Sequence, residues 1–363
     1  MRVFYDYQIL LMQNYGGISR YFYEILTRMP EGYAQIEAIR NQNLYFADYY
    51  NRPIKPINGG SRYSRIISKN RKNTLKLLKK TKEEFVFHPT YYNPYFIEQY
   101  EGKLVVTVHD MIHEKFPEYY GGNATILHKK SLVERADAIV AVSQATKDDM
   151  LTYYPNLNPE NIYVVHHGTS TYSGKLQDDN MEQRFLDGYR YVLYVGNRDR
   201  YKNFAPFSKA LSMLLHEDEK LRLVCVGGGT LSEDELAVFD VANCANRVIQ
   251  LSATEEQLIW LYQNATCFVF PSKAEGFGIP ILEAWVNNCP AIVSDIPCFR
   301  EVGGDAAGYF DTDDAMDIKK QIEDVIYNNG AEALINRGNI RKEDFGWDKC
   351  AKAHMDIYER VLG

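Results

Sequence analysis

Short, strand-sized apolar runs recur along the whole chain, at residues 3–7, 85–88, 104–109, 138–142 and 162–165, then at 191–195, 221–226, 248–250, 267–270 and 291–293. Stretches of helical periodicity lie between them. Runs that are apolar throughout, rather than at alternate positions, belong to strands covered on both faces. Helices between such strands imply parallel sheets built from right-handed βαβ crossovers. Residues 168–188 divide the two series; they are rich in Ser, Thr, Asp, Gly and Gln and read as a linker. The fold class that follows is α/β, with two doubly wound, Rossmann-like parallel-sheet domains facing each other across a cleft. A length of 363 residues suits two such domains. Ligands of these sheets bind beyond the carboxyl ends of the strands, so chemistry is to be sought in the βα loops.

Composition removes several other classes. The net charge is −7, so no general affinity for nucleic acid is expected. No apolar run approaches the ~18 residues of a membrane-spanning helix. The opening Met1-Arg2-Val3-Phe4-Tyr5-Asp6 lacks the apolar core of a signal peptide, and a cytoplasmic location is expected. The six cysteines, from Cys225 to Cys350, form no C-x-x-C and read as reduced core thiols. Tyrosine is abundant, at 28 residues, and Tyr45, Tyr49, Tyr50, Tyr91, Tyr92, Tyr95, Tyr119 and Tyr120 gather early in the chain. They suggest either an amphipathic groove of hydroxyl-bearing rings or a plain compositional bias.

Three βα loops stand out. The first, Asn14-Tyr15-Gly16-Gly17-Ile18-Ser19-Arg20-Tyr21, precedes a helix expected over 19–29, with Tyr21, Phe22, Ile25, Leu26 and Met29 on one face. Paired glycines permit close backbone approach and leave N–H groups for an anion; an ordinary tight turn has the same signature. In the second, Gly196 ends a strand and Asn197-Arg198-Asp199-Arg200-Tyr201-Lys202-Asn203 follows. Three cations so close to a strand end suit a phosphorylated ligand, with a solvated charge run as the alternative. The third runs from Pro271 to Ala284. There Gly276 and Gly278 expose amides, Pro280 suits a first helical turn, and Glu275 and Glu283 bracket the loop. One carboxylate can accept sugar hydroxyls and the other those of ribose, although either could simply favour a helix start.

Other patterns lack the context their chemistry needs. His109-Asp110-Met111-Ile112-His113 approximates the zincin H-E-x-x-H, but it carries Asp and follows a strand. Asp311-Thr312-Asp313 is a D-x-D ahead of a helix expected over 316–327, and reads as an N-cap. Gly227-Gly228-Gly229-Thr230-Leu231-Ser232 has Ser where a dinucleotide fingerprint needs its last glycine, and reads as a tight turn. Thr254-Glu255-Glu256-Gln257 is a capping box.

Glu275 and Glu283 have the E-x7-E spacing of retaining glycosyltransferases with the GT-B architecture, and the segment from Glu275 to Ala284 resembles that motif in family 4. Tyr15-Gly16-Gly17-Ile18-Ser19-Arg20 resembles the family's glycine loop, and Val106-Thr107-Val108-His109-Asp110 its strand-ending His-Asp. Val142-Ser143-Gln144-Ala145-Thr146-Lys147, Val165-His166-His167-Gly168, and Gly196 through Lys202-Asn203 match further stretches. Phe345-Gly346-Trp347-Asp348-Lys349 followed by Tyr358 resembles the final helix, which in this architecture crosses back to the first domain.

The resemblance implies an acceptor-side domain over 1–170, with helix 347–363 packed on it, and a nucleotide-sugar domain over 171–346. Gly16 and Gly17 would approach the donor diphosphate. Lys202 would neutralise it with Arg198 or Arg200, since the family's arginine directly before the lysine is Tyr201 here. Glu275 and the amides of Gly276, Phe277 and Gly278 would hold the sugar, Glu283 the ribose, and residues 251–253 would touch the base. His109 would sit beside the reacting carbon, with Asp110 orienting its loop. No cofactor and no metal is implied, because fixed cations and amides counter the charge of the departing diphosphate; one such donor contributes about 3 kcal/mol. The implied activity is a hexosyltransferase moving a hexose, mannose from GDP-mannose first, to a glycan or lipid-linked oligosaccharide in surface-polysaccharide synthesis. A sugar phosphorylase, a nucleotide-sugar epimerase or a catalytically silent glycan-binding subunit are the alternatives. Residues 62–82 hold nine cations and no acid. They suit either peripheral contact with an anionic membrane on its inner face or a solvated helix packed on the sheet.

Overall fold

The computed structural model describes residues 1–47, 49, 60–80, 84–169, 188–198 and 200–363. Residues 170–187 of the expected linker, and with them the expected boundary after 170, lie outside the described residues, as do Tyr50, Lys82 and Asp199. The chain divides into two compact units, Met1–Gly168 with Gly346–Gly363, and Thr169–Phe345. The first contains strands β1 (Val3–Tyr5), β2 (Ala34–Ile36), β3 (Val86–His88), β4 (Lys103–Val108), β5 (Ala138–Ala141) and β6 (Ile162–Val164). The second contains β7 (Arg190–Val195), β8 (Leu221–Val226), β9 (Val248–Leu251), β10 (Cys267–Phe270), β11 (Ala291–Ser294) and β12 (Gly308–Phe310).

Each set pairs in parallel into one sheet, ordered β2-β1-β3-β4-β5-β6 and β12-β11-β10-β7-β8-β9. Strand order reverses between β1 and β3 in the first sheet and between β7 and β10 in the second. At such a switch point the loops leaving the two strands diverge and open a crevice. The edge strands β2 and β12 escape the sequence pattern for a physical reason. An edge strand has one neighbour and less cover, so Ala34-Gln35-Ile36 and Gly308-Tyr309-Phe310 need not be apolar throughout.

Strand β1 shows why the central runs are continuous. Val3 and Tyr5 face a layer containing Ile25, Trp347 and Tyr358, while Phe4 faces the other layer with Phe87 and Leu104. The helix expected over 19–29 runs Gly17–Thr27 instead. The Arg20 N–H donates to the Gly16 carbonyl, and the Gln13 side-chain oxygen accepts from the Ser19 N–H, so the first turn closes two residues early. The helix Trp347–Leu362 belongs to the first unit and packs on Gly17–Thr27, β3 and β4. Gly168 lies under its start, where a Cβ would overlap the Trp347 backbone nitrogen, so only glycine permits the contact.

Among the described residues, the early tyrosines do not line one groove. Tyr45 packs on Tyr15 and Tyr23, Tyr49 on Phe46, Tyr119 on Phe116 and Tyr120 on His113. Tyr95 instead meets Tyr7, and Tyr91 meets Tyr92, beside β1 and β3. Ser61–Lys80 is one helix. Its Ile66, Asn70, Thr74 and Leu78 are buried at four-residue spacing, and its cations from Arg62 to Lys80 are exposed. Its apolar side therefore packs on its own unit, and the face left to solvent is cationic. No helix among the described residues is long and apolar enough to cross a membrane.

Candidate functional site

The loops leaving β7 and β10 carry Lys202 and Glu275 to the switch point of the second sheet. Lys202 Nζ lies 2.5 Å from Glu275 Oε1, and 5.1 and 5.2 Å from the ring centres of Tyr201 and Phe270. The Lys273 N–H donates to the Tyr201 carbonyl at 2.8 Å, which ties the two loops main chain to main chain. The paired side chains are 15% and 14% exposed, so they are reachable but weakly screened. An ammonium has three donors, and Glu275 takes one of them, which leaves capacity for an anion.

Gly278 holds φ +118°, and a Cβ there would crowd Ile281 and Phe299 at 3.1 and 3.2 Å. Glycine therefore closes this loop and starts the Ile279–Val286 helix, with Pro280 in its first turn. Glu283 stands half-buried on that helix, where the Tyr262 hydroxyl donates to its Oε2 at 3.4 Å. Gly276 and Phe277 are buried in the loop between the two glutamates, and the Phe277 ring meets Phe345 edge-on at 5.7 Å. The Ser272 hydroxyl, just past β10, is fully buried and has no hydrogen-bond partner among the described residues. No spacing in the sequence singles it out.

Arg198 is not available as the second cation. Its Nε lies 2.6 Å from Glu235 Oε1, and its other N–H groups donate to the carbonyls of Gly227, Gly228, Gly229 and Thr230 at 2.9 to 3.2 Å. Those three glycines have φ of +84°, +71° and +73°, so the turn directs successive carbonyls at one guanidinium while Glu235 cancels its charge. Ser232 caps the Glu233–Val241 helix in a reciprocal box with Glu235, a Ser-x-x-Glu signal present in the sequence. Arg200 shares the short turn Arg200–Lys202 with the lysine. The D-x-D also resolves differently. Asp314, which directly precedes the helix Ala315–Tyr327, supplies the cap, and Asp313 pairs with Lys273 at 2.6 Å. Thr254 and Gln257 form the expected box. Among the described residues, no group of three or more His, Cys, Asp or Glu is arranged to hold a metal ion.

In the first unit the loops of interest leave β1, β3 and β4. The buried Asp6 carboxylate accepts from the Thr90 N–H and hydroxyl at 2.9 and 2.8 Å, the Gln8 amide at 2.9 Å and the Tyr95 hydroxyl at 2.9 Å. Burial raises its pKa against those hydrogen bonds. Gln8 also lines a pocket of about 210 Å³ walled by Tyr7, Tyr63, Tyr91, Tyr92 and Met12. The Tyr92 hydroxyl accepts from the His109 N–H at 3.0 Å, which joins the pocket wall to the loop after β4. The His109 ring stands edge-on to Tyr21 at 5.1 Å and stacks on His167 at 6.4 Å. Burial pushes its pKa down to about 4 against the pull of Asp110, so the imidazole is neutral at pH 7. Asp110 Oδ1 accepts from the Ile112 N–H at 3.0 Å and shapes the turn. Gly16 is extended and Gly17 opens the following helix; a Cβ on Gly16 would overlap the Gln13 amide.

Sequence reasoning missed the support beneath His109. The fully buried Lys129 ammonium donates to the Asp110 carbonyl and to Glu114 Oε2, both at 2.8 Å. The Tyr154 hydroxyl donates to the other Glu114 oxygen at 2.6 Å. Lys129 lies in a helix of ordinary surface composition, so nothing in its neighbours marks it as buried.

Both halves of the chain resemble known proteins. Residues 15–172 match the family model Glycosyltransferase Family 4, and residues 177–341 match Glycosyl transferases group 1. The O-antigen chain mannosyltransferase B of Escherichia coli is 25% identical over 76% of this chain and 74% of its own length. The O-antigen chain mannosyltransferase RfbU of Salmonella typhimurium is 30% identical over 61% of this chain and 60% of its own. The serotype-specific mannosyltransferase WbdA of Escherichia coli is 33% identical over 72% of this chain, which spans 34% of that longer protein. Among solved structures, a glycosyltransferase from Rickettsia africae superposes with a TM-score of 0.73 at 17% identity, over 99% of this chain and 98% of that one. HepE of Anabaena in complex with UDP superposes with a TM-score of 0.74 at 15% identity, over 99% and 100%.

Proposed function

Since the chain belongs to the family-4 glycosyltransferases and has the GT-B fold, we propose that it is a retaining hexosyltransferase of surface-polysaccharide synthesis. Its donor is a nucleotide-diphosphate sugar, with GDP-mannose the first to test, and its acceptor a glycan or lipid-linked oligosaccharide. The observation that carries this reading is the Lys202–Glu275 pair at the switch point of the second sheet. Similarity to three mannosyltransferases supports the choice of sugar.

In this reading the bond from the anomeric carbon to the diphosphate breaks, and its electron pair leaves on phosphate oxygen. An acceptor hydroxyl bonds to the same face of that carbon, and its proton passes to the departing phosphate. Lys202 and the amides of Gly276, Phe277 and Gly278 counter the charge where it develops, and Gly16 and Gly17 add N–H groups from the first unit. Glu275 accepts from sugar hydroxyls and Glu283 from the ribose. His109, with a pKa of about 4, is a poor proton acceptor at neutral pH; it hydrogen-bonds beside the reacting carbon rather than carrying the proton. The pocket between the β1 and β3 loops takes the acceptor end. No divalent cation enters the scheme.

A thermal-shift series over nucleotides and nucleotide sugars, with and without chelator, tests the reading, followed by assignment of the product anomer by NMR. Stabilisation by one nucleotide series, chelator-resistant transfer and a retained anomer are expected; an inverted product or no nucleotide binding overturns it. Glu283→Ala is expected to weaken nucleotide binding about tenfold, as for a lost hydrogen bond to a charged group. Calorimetry giving an unchanged Kd would remove Glu283 from the ribose. The exposed cations of the Ser61–Lys80 helix would hold the enzyme peripherally on an anionic surface, at about 1 kcal/mol per cation close to the lipid. Sedimentation with anionic but not neutral vesicles, reversed by salt, is the expected result, and equal partitioning would end that part of the proposal.

A further inference from the structure

Six polar side chains that the scheme above leaves unused lie buried between the first sheet and the helix Trp347–Leu362. Tyr5, Tyr21, His88, His354 and Tyr358 are fully enclosed and Thr107 nearly so. They are linked in one file. Tyr5 and Tyr358 hydroxyls lie 2.8 Å apart, and the Tyr358 hydroxyl is 2.8 Å from His88 Nδ1. His88 Nε2 is 3.0 Å from the Thr107 hydroxyl, which is 2.9 Å from the Tyr21 hydroxyl. The Tyr21 hydroxyl is 2.5 Å from His354 Nε2, and His354 Nδ1 is 2.8 Å from the Cys350 carbonyl.

Every link except the last could run either way. The Cys350 carbonyl can only accept, so His354 carries its proton on Nδ1 and offers a lone pair at Nε2. Tyr21 must then donate to His354, and having used its proton it accepts from Thr107. Thr107 in turn accepts from His88 Nε2–H. His88 Nδ1, left without a proton, accepts from Tyr358, and Tyr358 accepts from Tyr5. Burial keeps both imidazoles neutral by lowering their pKa, to about 4 for His354, so each ring carries a single N–H. One main-chain oxygen on the final helix thus orders two tautomers and four hydroxyl rotors.

We propose that Tyr21 is a positioning residue for His109, held in place by this one-directional file. The Tyr21 ring stands edge-on to His109 at 5.1 Å and to His167 at 5.0 Å. It projects from the helix that opens at Gly17, while Thr107 precedes His109 by two residues in and just beyond β4. A ring held by packing alone can rock in its site. The Tyr21 hydroxyl donates once and accepts once, so it cannot shift without breaking two buried hydrogen bonds. The file therefore fixes the surface on which the His109 imidazole rests, and its effect falls on turnover rather than on donor affinity. The inference rests on His109 lying beside the reacting carbon.

Tyr21→Phe keeps the ring and removes both hydrogen bonds. Thr107→Val interrupts the file, and Thr107→Ser preserves it. With histidine labelled by nitrogen-15 in the full chain, ring resonances at pH 7 should show His354 protonated on Nδ1 and His88 on Nε2. In Tyr21→Phe and Thr107→Val, kcat should fall about tenfold or more, as for a small misplacement near the reacting atoms. Donor KM should stay unchanged, Thr107→Ser should behave as wild type, and the His109 resonances should broaden or split. Wild-type kcat with unchanged His109 resonances in Tyr21→Phe would overturn the proposal, as would a His88 proton on Nδ1 in the wild type. His109→Ala separates the two ideas. Wild-type transfer by that variant would refute the reading of His109, while the Tyr21→Phe spectra would still decide whether Tyr21 orients the ring.

Discussion

Lys129→Met should destabilise the first unit by about 3–5 kcal/mol, several times what an exposed ion pair is worth. The Lys129 side chain is 0% exposed and that of Glu114 2%, so neither can turn to water. Removing the ammonium strands a buried carboxylate whose remaining hydrogen bond comes from Tyr154, and it takes the donor away from the Asp110 carbonyl. Methionine is nearly isosteric, so loss of volume is not the cause. The cost comes from the charge left behind, and adding Glu114→Gln should therefore recover much of it. Trp347 is the only tryptophan of the first unit, and a fluorine label on it would report urea unfolding of that unit by itself. A loss below about 1 kcal/mol would show that water reaches the pair. Because Lys129 also anchors the turn that carries His109, a soluble double variant should transfer sugar poorly even where its stability has returned.

Lys202→Ala should reduce turnover by about a hundredfold to a thousandfold, the effect of removing one fixed donor from a developing anion. Nucleoside affinity should fall far less, since the ribose contact assigned to Glu283 lies on a separate element. The pair geometry adds a second consequence. Without the ammonium 2.5 Å away, Glu275 faces the incoming diphosphate as an uncompensated negative charge. Nucleotide-diphosphate binding by Lys202→Ala should therefore improve when Glu275→Gln is added, while turnover should not return. Single-turnover kinetics beside calorimetry separates the two effects. A Lys202→Ala enzyme that transfers sugar at the wild-type rate would show the site to be wrongly assigned.

The central strands were legible because burial on both faces demands an uninterrupted apolar run, as in Val105-Val106 and Leu223-Val224. The positions of Lys202 and Glu275 were legible because loops at strand ends are where such sheets expose polar groups, and that of Glu283 because Pro280 marks the first turn of the helix that carries it. What stayed hidden depends on partners distant in sequence. Arg198 reads as an anion-binding cation until the Gly227–Thr230 carbonyls and Glu235 are seen around it. Lys129 reads as a surface residue, and Tyr21 as one apolar position among several on a helix face. Their roles come from Asp110, Glu114 and His354, which the sheet order and the returning helix bring to them.

That returning helix has a consequence for synthesis on the ribosome. Residues up to Gly168 emerge early, yet the trough that receives Trp347, His354 and Tyr358 cannot fill until all of Thr169–Phe345 has been translated. Through that interval Tyr5, His88 and Tyr21 have no cover from the helix, and the nascent chain carries an open apolar seam of the kind that chaperones shield. The second unit, encoded by one uninterrupted stretch, can complete itself first. Maturation therefore runs from the middle of the polypeptide outward, and a premature stop at Gly346 would leave a finished second unit joined to an incomplete first one.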